Sequence, residues 1–281
     1  MGEDGIIEKI LEIIPGRNNW CVEFGAWDGL HLTNSRRLIL SAGYSAVLIE
    51  ADSEKYKDLM VNYKDYAKNI TLLNCFVGFG DDDNLDKILG PTAIPKDFDF
   101  LSIDIDGNDY HVWKHVRHYR PKLVVIEFNH TIPSEVRFIQ KADATVNQGS
   151  SLLSVVELGK QKGYELVCVL RFNAFFVRAE DFPLFEIDNN TIQELRKDLS
   201  GITYLFQGYD GKILLSGALD FPWHSVQFTE KSLQLLPSYL RTFPGRYTLM
   251  QKCCLFLLRS VKKTRDLVID RLRKTGDRAE Y

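Results

Sequence analysis

The chain has 281 residues, 45% hydrophobic and 26% charged, an ordinary globular composition that excludes collagen-like, disordered and disulfide-scaffold classes. Its net charge of −3 gives no global field toward nucleic acid, so none is expected as a partner. That average hides a split, because from Arg246 to Tyr281 ten Lys and Arg oppose four Asp and Glu, which leaves the body acidic and the tail basic.

Ile6, Ile7, Ile10, Leu11 and Ile14 recur at helical spacing before Pro15-Gly16 stops that element. Trp20 to Phe24 reads as the first strand, Gly25 to Gly29 as a turn, and Leu32 to Ala42 as a helix ending at Gly43. Ala46 to Ile49 is an uninterrupted apolar run, as a strand buried on both faces requires, and Ser53 caps a helix over Lys55 to Tyr66. Ile70 to Val77, Phe98 to Ile103 and Lys122 to Phe128 supply three more strands, with helices near Leu85 to Leu89 and Tyr110 to His118. A helix over Ser151 to Lys162 precedes two strands, Gly163 to Leu170 and Ala174 to Val177. Only Arg171 to Asn173 separate them, too few for a parallel crossover, so they pair antiparallel. Five parallel strands closed by an antiparallel hairpin is the Rossmann-like α/β topology of S-adenosylmethionine-dependent methyltransferases.

In an open α/β sheet the ligand lies beyond the carboxyl ends of the strands. The turn there, Val22-Glu-Phe-Gly-Ala-Trp-Asp-Gly29, is G-x-x-x-G rather than the G-x-G-x-x-G of a dinucleotide site. Glu23 and Asp28 flank it, and two carboxylates repel a diphosphate but attract a sulfonium carrying an ammonium group. Glu50, followed by Ala51 at the end of the second strand, is placed to take ribose hydroxyls. The cofactor set expected is therefore Glu23, Gly25, Ala26, Asp28, Gly29, Glu50 and Ala51, with S-adenosylmethionine as the ligand.

These segments, together with Leu101-Ser-Ile-Asp-Ile-Asp-Gly107, Val125-Ile-Glu-Phe-Asn129, Gly163-Tyr-Glu-Leu166 and Asn173-Ala-Phe-Phe-Val177, resemble the FkbM-type methyltransferases over about residues 18–180. The resemblance implies O-methylation of sugar or natural-product hydroxyls. It implies that Glu23, Gly25 and Glu50 hold the cofactor and that Asp104 stands beside the transferring methyl group, which adds Asp104 to the expected cofactor set. It does not extend past Pro183, and it names no acceptor beyond a sugar or glycan.

A sugar hydroxyl is a weak acid, so methyl transfer to it needs a base, a metal or both. Asp104, Asp106, Asn108 and Asp109 follow the fourth strand, and Glu127, Asn129 and His130 follow the fifth. Asp104, Glu127 and Asn129 are oxygen ligands suited to magnesium or a similar divalent cation. His130 is the alternative base, and Asp104, Glu127 and His130 form the expected catalytic group. The same carboxylates can instead cap helices. Two other functional readings stay open: an inactive Rossmann-like binding module, and a glycosyltransferase using Asp104-Ile-Asp106 to hold a nucleotide sugar through a metal. His111, His115 and His118 share a helical face able to bind zinc, or simply one exposed to solvent.

The expected domains are residues 1–183, an accessory region over 184–245 and a basic helical tail over 246–281. In the tail Leu255, Leu258, Val261, Val268 and Leu272 oppose Arg259, Lys262, Lys263, Arg271, Arg273 and Lys274. Such a helix lies on an anionic membrane surface, or docks on its own body or on a second copy in a homo-oligomer. Five cysteines, an odd number without C-x-x-C spacing, fit a reducing compartment. The chain shows neither a secretory leader nor a run of about 20 apolar residues, so a cytoplasmic location, peripheral to membrane at most, is expected.

Overall fold

The computed structural model describes residues 2–66, 68–221, 226–234 and 236–276. The chain forms two compact units, Met1–Leu199 and Ser200–Tyr281.

The first unit contains a seven-stranded sheet of β1 (Trp20–Phe24), β2 (Ser45–Glu50), β3 (Ile70–Asn74), β4 (Phe100–Ile103), β5 (Leu123–Glu127), β6 (Tyr164–Val169) and β7 (Asn173–Arg178). Its spatial order is β3-β2-β1-β4-β5-β7-β6, with β7 antiparallel to both β5 and β6 and every other pairing parallel. The expected mixed α/β sheet is therefore the one observed.

Alternate residues of the same strands feed two separate cores, as a sheet covered on both faces demands. Val22, Val47, Leu101 and Val124 face one side, where α4 (Leu85–Leu89), α5 (Asp109–His115) and α6 (Leu152–Gln161) bury Leu85, Leu89, Trp113 and Val155. Cys21, Ala46, Phe100 and Leu123 face the other, under α1 (Glu3–Ile13), α2 (Arg36–Ala42) and α3 (Ser53–Asn62), which contribute Ile7, Leu11, Leu38 and Leu59.

Local chemistry shifts several expected boundaries. α2 starts at Arg36 rather than Leu32, because the Glu23 carboxylate takes the hydroxyls and amides that residues 33–35 would otherwise present to a first turn. α3 is capped by Asp52, not Ser53, its carboxylate accepting the amides of Glu54 and Lys55 at 2.8 and 2.9 Å. The segment 184–199, grouped by its sequence with the accessory region, packs in the first unit instead. There α7 (Ile192–Leu195) buries Ile192 and Arg196 donates to the carbonyls of His130 and Ile132.

At the amino ends of β4 and β5 a buried ion pair ties the sheet to the preceding loops. Lys122 Nζ donates to Asp99 Oδ1 at 2.7 Å and to the Gly16 carbonyl at 2.5 Å, while Asp99 also accepts the amides of Asn18 and Asn19. Both side chains are essentially excluded from water. Removing one partner strands a buried charge, so Asp99→Ala should cost about 3–5 kcal/mol in urea unfolding. A loss under about 1 kcal/mol would show that water replaces the pair.

The second unit contains the hairpin of β8 (Thr203–Gln207) and β9 (Ile213–Gly217), turning through Tyr209-Asp210-Gly211. A short antiparallel pair, Asp220–Phe221 with Val226–Gln227, follows, then α8 (Glu230–Leu233) and the long α9 (Leu249–Gly276). Among the described residues no helix is long and apolar enough to cross a membrane. Leu255 and Leu258, expected on the apolar membrane-facing stripe, are half-buried, whereas Val261 is 66% exposed. The side chains of Val268, Leu272, Arg271, Arg273 and Lys274, and all of residues 277–281, lie outside the described ones.

Candidate active site

A cavity of about 980 Å³ opens at the carboxyl ends of β1, β2, β4 and β5. It is lined by parts of the glycine turn, by Ile49, Glu50 and Ala51, by Cys75 to Val77, by Asp104 to Asp106, by Glu127 and by Phe172 and Asn173. Its position follows from the parallel strands, which all end on one edge and whose last side chains have no further sheet to bury them.

The turn itself is built on left-handed backbone. Gly25 has φ 72°, and a Cβ there would come within 2.2 Å of the Asp104 carbonyl, so the missing side chain lets the β1 and β4 ends approach each other. Gly29, at φ 70°, is pressed equally closely by the Tyr63 ring. Ala26 is buried and its amide bonds the Ile49 carbonyl, so it fixes the turn to β2 and does not line the cavity.

Glu50 does line the cavity. Its Oε2 accepts the Trp27 amide at 2.7 Å and its Oε1 the Asp52 amide at 2.8 Å. Each oxygen retains a lone pair, so the carboxylate is oriented by protein and still able to accept hydroxyls. Apolar Ile49, Phe76 and Val77 beside it form a slot suited to a flat base. The Gly25 cradle, the Glu50 acceptor and this slot together fit S-adenosylmethionine, which when bound supplies the methyl group. On this geometry Glu50→Ala should weaken S-adenosylhomocysteine binding by roughly 1.5–3 kcal/mol in calorimetry. Unchanged affinity would move the ribose site elsewhere.

The two other acidic marks behave differently from expectation. Glu23 is buried, and its carboxylate is consumed by Thr33 Oγ1 (2.5 Å), Ser35 Oγ (2.5 Å) and the amides of Asn34 (2.7 Å) and Ser35 (3.3 Å). Burial raises its pKa against the pull of these donors. Asp28 accepts the amides of Leu30 and His31 and the His31 ring nitrogen at 2.6 Å, and these donors overcome the upward effect of burial to bring it down to about 2. Neither carboxylate lines the cavity. Both instead shape the loop 27–35 that walls it.

At the cavity floor Asp104 and Glu127 are hydrogen-bonded to each other. Burial first, and then the charge of Asp109 and Asp106 on Asp104 and of Asp104 and Asp109 on Glu127, raise the pKa of both, so the pair holds a shared proton near neutrality. Asp109 is buried beneath them and carries the loop, accepting the amides of Ile105 and Gly107 at 2.9 Å each; burial lifts it to about 6.

Asp104, Asp106 and Glu127 each bring one oxygen within 4.8 Å of the others. Asn129, expected as the third oxygen ligand, does not line the cavity. Its amide is spent on the Gln148 carbonyl and on Thr131, fastening the loop after β5. His130, expected as a base, does not line the cavity either: its ring stands edge-on to Phe172 at 4.6 Å, and burial together with Arg171 and Arg196 lowers its pKa. Asn108 likewise serves structure, bonding Gln140 and the 143–146 backbone. The three helix histidines do not converge: His111 meets the Gln140 carbonyl, His115 the His111 carbonyl and His118 the Asp86 carboxylate.

Asn173 is a site residue that the sequence reading did not single out. The antiparallel register sets it directly opposite Glu127, so it enters the cavity from a strand read only as topology. Trp27, half exposed at φ 51° with Lys55 over its ring at 4.7 Å, is another.

This fold and this site define a class of protein, the Rossmann-like S-adenosylmethionine-dependent methyltransferases. Residues 81–166 match the family model described as the methyltransferase FkbM domain. The match includes Asp104 and Glu127 but not the glycine turn. No curated protein sequence matches the chain.

Among solved structures, the N-terminal domain of EvdMO1 with SAH bound is 13% identical, with 62% of this chain and 79% of that chain covered and a TM-score of 0.41. A SAM-dependent methyltransferase from Aquifex aeolicus is also 13% identical, with 62% and 89% covered and a TM-score of 0.37. M. jannaschii TYW2 in complex with AdoMet is 13% identical, with 63% and 77% covered and a TM-score of 0.38. These are distant likenesses, and the fold assignment stands on the strand order itself.

Proposed function

We propose that this chain transfers the S-adenosylmethionine methyl group to a hydroxyl of a sugar or glycan acceptor. The observation that carries this reading is the Asp104–Glu127 pair on the cavity floor. A neutral amine or a thiolate attacks a sulfonium methyl without help, whereas a sugar hydroxyl must lose its proton as it attacks. A carboxylate lifted toward neutrality is the better proton acceptor, and a pair sharing one proton presents one carboxylate ready for the task. The cavity, at about 980 Å³, sits at the upper end of the range for a single bound ligand, which suits a donor and an acceptor together.

In this reading Glu50 orients the cofactor's ribose, Gly25 admits its backbone-facing side, and Glu23 and Asp28 act as positioning residues through the loop 27–35. The pair takes the acceptor proton directly. A divalent cation held by Asp104, Asp106 and Glu127 is the competing route to the same hydroxyl. A reducing, cytoplasmic setting agrees with the five cysteines, all of them free.

Methyl-labelled cofactor incubated with the protein and a panel of methyl glycosides and oligosaccharides tests the proposal. Label in a base-stable ether supports it. Label in an amine, or in an ester that mild base cleaves, overturns the acceptor class, and cofactor binding with no transfer to any acceptor would favour a binding module.

A further inference from the structure

Within the second unit, α9 has two apolar faces with different fates. One is seated on its own unit: Gln251 is buried with its amide on the Leu240 carbonyl at 3.0 Å, and Leu255 and Leu258 are half-buried beside it. The other is bare. Leu249, Met250, Phe256, Leu257, Val261 and Leu267 are each 55–79% exposed. At about 100° per residue all six fall within an arc of roughly 140°, on the side of the helix away from Leu255 and Leu258.

Between Leu249 and Leu267 the remaining residues of that arc are Cys253, Ser260 and Thr264, so no charge interrupts the face over that span. The two hydroxyls are already turned back onto the helix, Ser260 to the Phe256 carbonyl and Thr264 to the Ser260 carbonyl, each at 3.0 Å. Covering this face with hydrocarbon therefore leaves no hydroxyl donor without a partner.

Lys252, Arg259 and Lys263, all exposed, border one edge of the arc. From Leu249 to Arg265 there are five Lys and Arg and no Asp or Glu. A second copy of the same helix would bring these like charges together, whereas an anionic lipid surface neutralises them. A charge-free apolar face with a basic margin, on a helix not apolar enough to span a bilayer, is suited to lying in the plane of the headgroups.

We infer that α9 is a peripheral membrane-binding helix, inserting Phe256, Leu257 and Val261 into an anionic leaflet with Lys252, Arg259 and Lys263 at the headgroups. This inference does not depend on the reaction the first unit performs. It differs from the stripe expected from sequence, in which Leu255 and Leu258 met the lipid.

The test is flotation of the full chain with phosphatidylcholine vesicles, with and without phosphatidylserine, at low and high salt. Binding should require phosphatidylserine and fall with salt. Phe256→Ser combined with Leu257→Ser should abolish it, and Arg259→Glu combined with Lys263→Glu should weaken it roughly tenfold or more. Leu255→Ser, on the inner face, should lower the unfolding temperature instead. Failure to bind either vesicle, or equal binding to neutral vesicles, would overturn the assignment. So would a concentration-dependent dimer in sedimentation that the Phe256 and Leu257 substitutions dissolve.

Discussion

Gly25→Val should abolish the thermal stabilisation that S-adenosylhomocysteine gives the protein. Two effects add at this position. The backbone sits at φ 72°, a region costing a side-chain-bearing residue roughly 1–2 kcal/mol, and the first carbon of any side chain would stand 2.2 Å from the Asp104 carbonyl. That oxygen belongs to backbone, so it cannot move aside as a flexible side chain would. Either β1 and β4 part at their ends, or the turn swings into the space where the cofactor lies. Gly43, which follows α2, provides the control. It has nearly the same φ, 69°, but an added Cβ meets nothing within 4 Å. Gly43→Ala should therefore show the backbone strain alone, a lower unfolding temperature with the ligand-induced shift intact. A normal ligand shift in folded Gly25→Val, checked by circular dichroism, would remove this turn from the cofactor site.

The contrast between these two glycines shows what the sequence could express. A glycine after a helical run announces a left-handed position, and both Gly43 and Gly25 were readable as turns. That one of them faces a carbonyl from a strand some eighty residues away depends on sheet order, which periodicity alone does not encode. The sheet itself was legible because strands such as Ala46 to Ile49 are continuously apolar and the gap at Arg171 to Asn173 admits only a hairpin.

The acidic marks were legible as residues but not as roles. Glu23 and Glu50 both stand at the ends of β strands with carboxylates near the same turn, yet the first is saturated by donors from residues 33–35 and the second keeps free lone pairs toward the cavity. Which donors surround a carboxylate is a property of the folded loop, and the amides that claim Glu23 are invisible in composition. Asn129 was misread for the same reason. Its side chain meets its own loop, Gln148 and Thr131, before it can meet an ion. Asn173, conversely, became a site residue through antiparallel register, a consequence of the hairpin that was recognised without being followed to its side chains.

Asp104→Asn and Glu127→Gln should each reduce turnover by roughly 10²–10⁴, the range for losing a general base, while leaving S-adenosylhomocysteine affinity within a few fold. Either change replaces one member of the shared-proton pair by an amide, which can hold the geometry but cannot accept the acceptor's proton. Stability should move in the opposite direction. The pKa of both carboxyl groups is raised on folding, so their contribution is fully present below the unfolded values near 4 and is lost as pH rises through the folded ones. Asp109, lifted to about 6, adds the first part of that loss. The wild-type unfolding temperature should therefore decline from about pH 5 through neutrality and beyond, and Asp104→Asn should flatten the neutral and alkaline part of that slope, since an amide has no proton to lose. The same variants separate direct base catalysis from a cation held by Asp104, Asp106 and Glu127. With direct proton transfer, chelator leaves turnover unchanged and the rate rises with pH as the doubly protonated pair gives up its first proton and frees one carboxylate. A rate abolished by chelator and restored by magnesium would assign the carboxylates to a metal. Turnover indifferent to both substitutions would place the chemistry away from the ends of β4 and β5.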